Sequence, residues 1–135
     1  MSAQKAVEHW HQVLEKKDPA LLSDLIADEC VFHSPIVHTP QVGKELTMLY
    51  LTGAFHTLAG DAFKYVREII DGNDALLEFQ TEIDGIKVNG VDLIHANADG
   101  KITEFKVMVR PLKAINLLHE QMGKMLEQLS TKQAS

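Results

Sequence analysis

The sequence predicts an α+β fold in which helices cover one face of an antiparallel sheet. Apolar residues recur at helical spacing in segments near both ends of the chain. Between them lie segments rich in β-branched and aromatic residues, separated by turn sequences, as in consecutive strands. The predicted order is helix, helix, strand, helix, then four strands and a helix, which differs from the alternation of strands and helices in a doubly wound protein.

The N-terminal part of the chain contains two predicted helices and a short strand. Residues 3–17 form the first helix. Residues 20–27 form the second, because Asp18 is suited to cap it and Pro19 to occupy its first position. The strand at residues 30–33 ends before a proline, which cannot donate a hydrogen bond to a sheet.

Two further helices are predicted, one in the middle of the chain and one near its end. A loop over residues 36–42 leads into the third helix at residues 43–58. The last helix spans residues 112–129, where apolar residues alternate by three and four positions. The polar tail at residues 130–135 is predicted to be frayed.

Four consecutive strands are predicted at residues 63–70, 75–83, 88–96 and 101–110. Each junction between them contains an Asp-Gly pair, whose residues tolerate the positive φ of a tight turn. The four strands should therefore form an antiparallel meander.

Composition indicates one globular domain over residues 1–135. Hydrophobic residues make up 45% of the chain and charged residues 24%, and no apolar run is long enough to cross a membrane. The net charge of −6 argues against nucleic acid as a partner, and the histidines lack zinc-site spacing. The single cysteine, Cys30, and an N-terminus without a signal-peptide segment favour the cytoplasm.

Asp92 is the most informative residue, because strand alternation places it on an apolar face with Ile94 and Ala96. A carboxylate there is costly unless it is neutral, hydrogen-bonded or lining a cavity. We expect burial to raise its pKa above the usual value of about 3.9. The alternative is an ionised Asp92 that is paired, with Arg110 as a candidate partner.

Several short motifs carry a resemblance to a known family. They are Asp18 between two helices, Asp28-Glu29 before a strand, Asp99-Gly100-Lys101-Ile102 at the last turn and Arg110-Pro111 at its end. With the order of elements, they make residues 5–112 resemble the nuclear transport factor 2-like superfamily, in the branch of ketosteroid isomerases and SnoaL-type polyketide cyclases. The resemblance implies a cystatin-like, cone-shaped curved sheet on three N-terminal helices, a pocket in its mouth and dimerisation through the outer sheet face.

The resemblance also suggests roles for individual residues. Ketosteroid isomerase uses an Asp base and an oxyanion hole made of a Tyr and a protonated Asp. Asp92 resembles the protonated Asp, Trp10 stands where the Tyr would be, and Ser34 occupies the place of the base. Because serine cannot take a proton at neutral pH without a partner, we do not expect steroid isomerisation. His33, or His38 in the following loop, could act as the base instead.

The predicted site is a cavity that binds a small apolar molecule, with Asp92 and His33 as candidate catalytic residues and no cofactor or metal. Its other predicted lining residues are Trp10, Leu14, Tyr50, Phe79, Ile94, Phe105, Val107 and Val109.

Two functions remain open for this chain. One is an isomerase, cyclase or dehydratase acting on a carbonyl compound, with Asp92 as donor. The other is a noncatalytic member of the same fold that binds a ligand or serves as an association module. In either case we expect a homodimer through the face of the last hairpin that carries Val91, Leu93 and Met108 among charged residues, with the C-terminal helix as the competing surface.

Overall fold

Six strands form one curved, open sheet that is covered on its inner face by helices. The computed structural model describes residues 2–134, apart from the side chains of Pro19, Leu126 and residues 128–134. The elements are α1 (Ser2–Lys16), α2 (Pro19–Leu25), β1 (Ile26–His33), β2 (Gln41–Val42), α3 (Lys44–Leu58), β3 (Lys64–Asp71), β4 (Asp74–Ile83), β5 (Ile86–Ala96), β6 (Ile102–Arg110) and α4 (Leu112–Ala134). The predicted α+β class is confirmed.

The strand order in the sheet is β2-β1-β6-β5-β4-β3. The last four strands form the predicted antiparallel meander. β1 pairs in parallel with β6, with Phe32 opposite Phe105. The N-terminal strand therefore lies beside the last strand of the meander, at the end of the meander away from β3. Gln41 and Val42, predicted as loop, pair with β1 as a short edge strand.

Three predicted boundaries were wrong. The second helix ends at Leu25 rather than at residue 27, because Ile26 already pairs with Ile102 and begins a strand longer than predicted. The cap on this helix is as predicted, since the Asp18 side chain accepts a hydrogen bond from the Ala20 N–H at 2.9 Å. The last helix continues to Ala134, through most of the segment that we expected to fray, and Ser135 lies outside the described residues.

The core lies between the inner face of the sheet and α1, α3 and α4. Strand alternation is as predicted, with Asp92 and Ile94 buried on the inner face. Trp10 on α1 and Asp92 therefore share one side of the sheet, as the predicted site requires. None of the helices in the described part of the chain is both long and apolar enough to span a bilayer.

Gly90 allows a close approach inside the sheet. It lies opposite Phe79 on the neighbouring strand, and an added Cβ would stand 2.5 Å from Cζ of that ring and 2.6 Å from the carbonyl oxygen of Met108. The missing side chain therefore leaves room for the Phe79 ring on the inner face.

Candidate functional site

A cavity of about 40 Å³ lies between the inner face of the sheet and the helices. Nearly all of its wall is apolar, and the polar atoms come from Trp10, Tyr65 and Asp92. The other lining residues are Leu14, Phe32, Pro35, Leu51, Ala54, Phe55, Leu58, Ala59, Phe63, Phe79, Phe105, Val107, Leu118 and Met122.

The three polar residues form one hydrogen-bonded chain. Nε1–H of Trp10 donates to the hydroxyl oxygen of Tyr65 at 2.8 Å. The Tyr65 hydroxyl in turn donates to Oδ2 of Asp92 at 2.6 Å, a short distance typical of an O–H group facing a carboxylate. Tyr65 therefore stands between the indole and Asp92.

The sheet register explains how Tyr65 reaches an aspartate two strands away. Tyr65 on β3 pairs with Phe79 on β4, and Phe79 pairs with Gly90 on β5. Because Gly90 leaves room for the Phe79 ring, the phenol of Tyr65 can extend across β4 to Asp92, two residues beyond Gly90. The two rings meet edge to face, with their centroids 6.5 Å apart.

Burial changes the acid–base properties of both Tyr65 and Asp92. Asp92 is 6% exposed, and desolvation raises its pKa from the ordinary value of 3.8 to about 7, although the hydrogen bond from Tyr65 acts in the opposite direction. Desolvation and the neighbouring Asp92 carboxyl raise the pKa of Tyr65 well above its ordinary value. Tyr65 is therefore a neutral donor near pH 7, whereas Asp92 exchanges a proton there.

The expected direction of the Asp92 pKa agrees with the structure. Its observed partner is Tyr65, and the alternative pairing with Arg110 does not occur, since Arg110 is exposed on the outer rim of the sheet. Asp92 is therefore a buried carboxyl group with a neutral hydrogen-bond donor.

Of the ten predicted cavity residues, the structure places Trp10, Leu14, Phe79, Asp92, Phe105 and Val107 in the wall. The other four lie elsewhere. Ile94 is buried in the core, and Tyr50 packs against Phe32 with a centroid distance of 5.4 Å. Val109 and His33 line a separate groove of about 590 Å³ at the rim of the sheet, which we call the outer groove.

His33 cannot act on a molecule held at Asp92. It follows Phe32, whose ring lines the cavity, so alternation turns His33 to the outer face. There its Nε2 lies 3.9 Å from a carboxylate oxygen of Glu104. His38 lines the outer groove as well. The Ser34 hydroxyl accepts hydrogen bonds from two backbone N–H groups of the following loop, which is a structural role.

The residue that our sequence analysis missed is Tyr65. The sequence contained a signal for it, because Tyr65 lies two positions after Phe63 in a predicted strand and so shares a strand face with another aromatic residue. The C-terminal helix also contributes more than expected, because Leu118 and Met122 close the cavity. In the described part of the chain, no three His, Cys, Asp or Glu side chains come together in a way that could hold a metal ion.

Comparisons with known proteins place this geometry in a family. Residues 7–105 match the family model of the SnoaL-like domain. A solved structure described as a steroid delta-isomerase from Pseudomonas aeruginosa is 30% identical, with a TM-score of 0.87 over 99% of this chain and 96% of that one. No curated protein sequence matches the chain significantly.

Two more solved structures share the fold. A protein with a cystatin-like fold from Silicibacter pomeroyi is 28% identical, with a TM-score of 0.80 over 88% of this chain and 83% of that one. An NTF2-like protein from Mesorhizobium loti is 25% identical, with a TM-score of 0.68 over 82% of this chain and 95% of that one. The suspected superfamily and the fold are therefore confirmed.

Proposed function

This chain belongs to the family of SnoaL-like domains, and from that premise we propose that its cavity receives the carbonyl end of a small apolar molecule. The observation that carries the proposal is the hydrogen bond from Tyr65 to the buried Asp92 at 2.6 Å, in a cavity whose wall is otherwise almost wholly apolar. An acid of pKa about 7 is well suited to exchange a proton at neutral pH.

The direction of the hydrogen bonds indicates which atom of Asp92 serves the ligand. The Trp10 indole can only donate, so the Tyr65 oxygen accepts from it, and the Tyr65 O–H donates to Oδ2 of Asp92. In the neutral acid, the proton is then carried by Oδ1. We assign this Oδ1–H as the donor to a ligand carbonyl oxygen, and the bond strengthens as negative charge develops on that oxygen.

The reaction class that fits this donor is isomerisation, cyclisation or dehydration of a carbonyl compound. Steroid isomerisation is not expected, although a structure similar to this chain is described as a steroid delta-isomerase. The cavity of about 40 Å³ is far below the roughly 300 Å³ of a typical pocket for a drug-sized ligand. Among the described cavity residues, Asp92 is the only carboxylic acid, and neither His33 nor Ser34 faces it.

A noncatalytic function is the second candidate, because the same cavity holds no second carboxyl group and no histidine among its described residues. A protein that only binds an apolar carbonyl compound needs the Asp92 donor and nothing more. Both candidates predict binding, and only the first predicts turnover.

Binding is tested with carbonyl-¹³C-labelled cyclopentanone, followed by NMR. For the wild type, we expect a downfield shift of the carbonyl resonance at pH 5.5 that is lost by pH 8.5, because the donor disappears as Asp92 ionises near pH 7. Asp92→Asn should abolish this pH dependence, whereas the matched control Asp61→Asn, at an exposed turn, should retain it. A shift that is the same at both pH values in the wild type would contradict the proposed donor.

Turnover is tested by exchange of the α-hydrogens of the same ketone in D₂O. Exchange that depends on Asp92 supports the enzyme. Binding without exchange above the buffer rate favours the noncatalytic candidate.

We also propose a homodimer through the outer face of the sheet. Ile69 and Met108 are 54% and 48% exposed there, so association through this face would remove large apolar side chains from water. Ionic pairs such as Arg67 with Glu78, at 3.4 Å, place both charge signs on the same face, so a second copy can complement it. Leu118 and Met122 of α4 line the inner cavity, which favours the outer face of the sheet over α4 for this contact.

A further inference from the structure

A second chamber adjoins the cavity on its helical side. It has a volume of about 370 Å³, within the range of pockets that hold drug-sized molecules. Its floor is apolar and its rim is polar. It is lined by Val13, Lys17, Asp18, Leu22, Thr52, Phe55, His56 and Ala59, which come from α1, α2 and α3 and the residues that adjoin them.

The chamber and the cavity share part of their walls. Phe55 and Ala59 line both, so the Phe55 ring and a single methyl group stand between the two spaces. Phe55 lies in the last turn of α3 and is only partly buried. Its ring stacks on Trp10, with centroids 5.5 Å apart, and Trp10 is the first member of the hydrogen-bonded chain that ends at Asp92.

From this shared wall, we propose that Phe55 is the gate between an outer binding chamber and the inner cavity. The inference rests on the proposed function and extends it to the class of ligand. A slender apolar end would pass Phe55 and reach Asp92, while a polar head remains in the chamber among Lys17, Thr52 and His56. The ligand would thus be an amphipathic molecule that is larger than the inner cavity alone admits.

The opposite wall of the cavity is less suited to open. The outer groove shares Pro35 and Val107 with the cavity. Val107 is held in the middle of β6, where it pairs with Asp92, and a β-branched side chain has little freedom at χ1. The ring of Pro35 is fixed to its backbone. Phe55, by contrast, is only partly buried, and its ring can turn about two side-chain torsions.

Access through the gate can be measured by the fluorescence of Trp10, because it is the only tryptophan in the chain. It is 4% exposed and lies on the inner side of Phe55, so its fluorescence reports what enters the cavity. The probe is 2,2,2-trichloroethanol, a small uncharged quencher without a carbonyl group. Iodide, which is charged, reports general exposure of the indole.

For Phe55→Ala, we expect the trichloroethanol quenching constant to rise about fivefold, which corresponds to the loss of an aromatic contact of about 1 kcal/mol. Iodide quenching should stay low. Phe55→Leu, which keeps more of the packing, should give a smaller rise in the same direction. Val107→Ala is the matched control, since it also removes bulk from the cavity wall, and it should leave the constant near that of the wild type.

The proposal that Phe55 is the gate would be contradicted by either of two results. One is that Val107→Ala raises trichloroethanol quenching as much as Phe55→Ala does, and the other is that neither Phe55 variant raises it. If iodide quenching of Phe55→Ala rose in parallel, the indole would have become exposed by unfolding rather than by opening of a gate. The Phe55→Leu variant would then be the test: a rise in trichloroethanol quenching alone supports the gate, and no rise contradicts it. The quenching experiment compares Phe55 and Val107 variants that all retain Asp92, and its probe carries no carbonyl group. Failure of the carbonyl donor would therefore leave this result intact, and the two proposals can fail separately.

Discussion

Replacing Asp92 by Asn tests the protonation state on which the proposed site depends. The substitution keeps the shape of the side chain and an oxygen that can accept the hydrogen bond from Tyr65. It removes the ionisable proton. The folded wild type holds this proton up to a pKa of about 7, whereas the unfolded chain loses it near the ordinary value of 3.8. The wild type is therefore stabilised by protonation of Asp92, and this stabilisation weakens as pH rises.

The sign and size of the effect follow from proton linkage. The contribution of Asp92 is fully present below about pH 4 and is lost as pH approaches 7, because only the folded state binds the proton in that window. Between the two pKa values, each pH unit changes the free energy of unfolding by about 1.36 kcal/mol. The two units from pH 5 to the folded pKa of about 7 therefore cost about 3 kcal/mol, and little more is lost between there and pH 8. The Asp92→Asn variant would carry no such dependence. Its amide adds a buried N–H group, whose unsatisfied cost of about 1–3 kcal/mol is independent of pH.

The assay is urea unfolding of both proteins at pH 5 and pH 8. We expect the stability of Asp92→Asn relative to the wild type to improve by about 3 kcal/mol between the two pH values, leaving it equally or more stable at pH 8. The exposed control Asp61→Asn should show no such change. If Asp92→Asn instead lost about 3 kcal/mol or more at pH 8, Asp92 would be ionised and paired, and our assignment of a neutral donor would be wrong.

Three further substitutions test the supports of the site and the dimer. Tyr65→Phe removes a hydrogen bond that lowers the pKa of the buried carboxyl, so that pKa should rise above 7 in a ¹³C NMR titration, with a loss of about 1–3 kcal/mol in unfolding free energy. Gly90→Ala should destabilise by about 1–3 kcal/mol or more in thermal unfolding, because its Cβ would stand 2.5 Å from the Phe79 ring. Met108→Lys should shift the proposed dimer to monomer in analytical ultracentrifugation, since it places a charge at an exposed apolar position.

Each of these variants has a matched control elsewhere in the chain. Tyr50→Phe changes a tyrosine outside the cavity wall and should leave the titration of the carboxyl unchanged. Gly123→Ala should be neutral or slightly stabilising, because nothing lies within 4 Å of its Cβ position and it lies in a helix. Leu46→Lys, at an exposed position on α3, should leave the association state as it is. A monomeric wild type would contradict the dimer directly.

Most of the fold could be predicted because local patterns agree with one another along the chain. Helical spacing, the Asp18 cap and the Asp-Gly turns predicted all four helices and the four-stranded meander. The errors lie where a tertiary contact determines whether a segment is helix, strand or loop. Ile26 enters a strand because β6 offers it a parallel partner, Ile102, far along the chain, and a helical pattern cannot reveal such a partner. Likewise, β2 is a strand only because β1 lies beside it.

The site was less predictable than the fold, because it depends on pairs that are distant in sequence. Alternation within β5 was enough to place Asp92 on the buried face. It could not select Tyr65, whose hydroxyl reaches across β4 to Asp92 where Gly90 on β5 leaves room for the Phe79 ring. For His33, the boundary of β1 was predicted correctly at its end, but the direction of the side chain depends on Phe32 taking the inner face.

Ionisation of the buried Asp92 lowers the free energy of unfolding as pH rises to neutrality, and this cost bears on the choice between the two candidate functions. A structural role at this position requires only an oxygen that accepts from Tyr65, and an amide provides one without the desolvation penalty of a carboxylate. An acid is needed only where a proton must be given or taken. If Asp92→Asn is the more stable protein at pH 8 and still binds the ketone but no longer exchanges its α-hydrogens, the carboxyl serves proton transfer. If the wild type binds the ketone through Asp92 but shows no exchange above the buffer rate, the noncatalytic candidate accounts for the site.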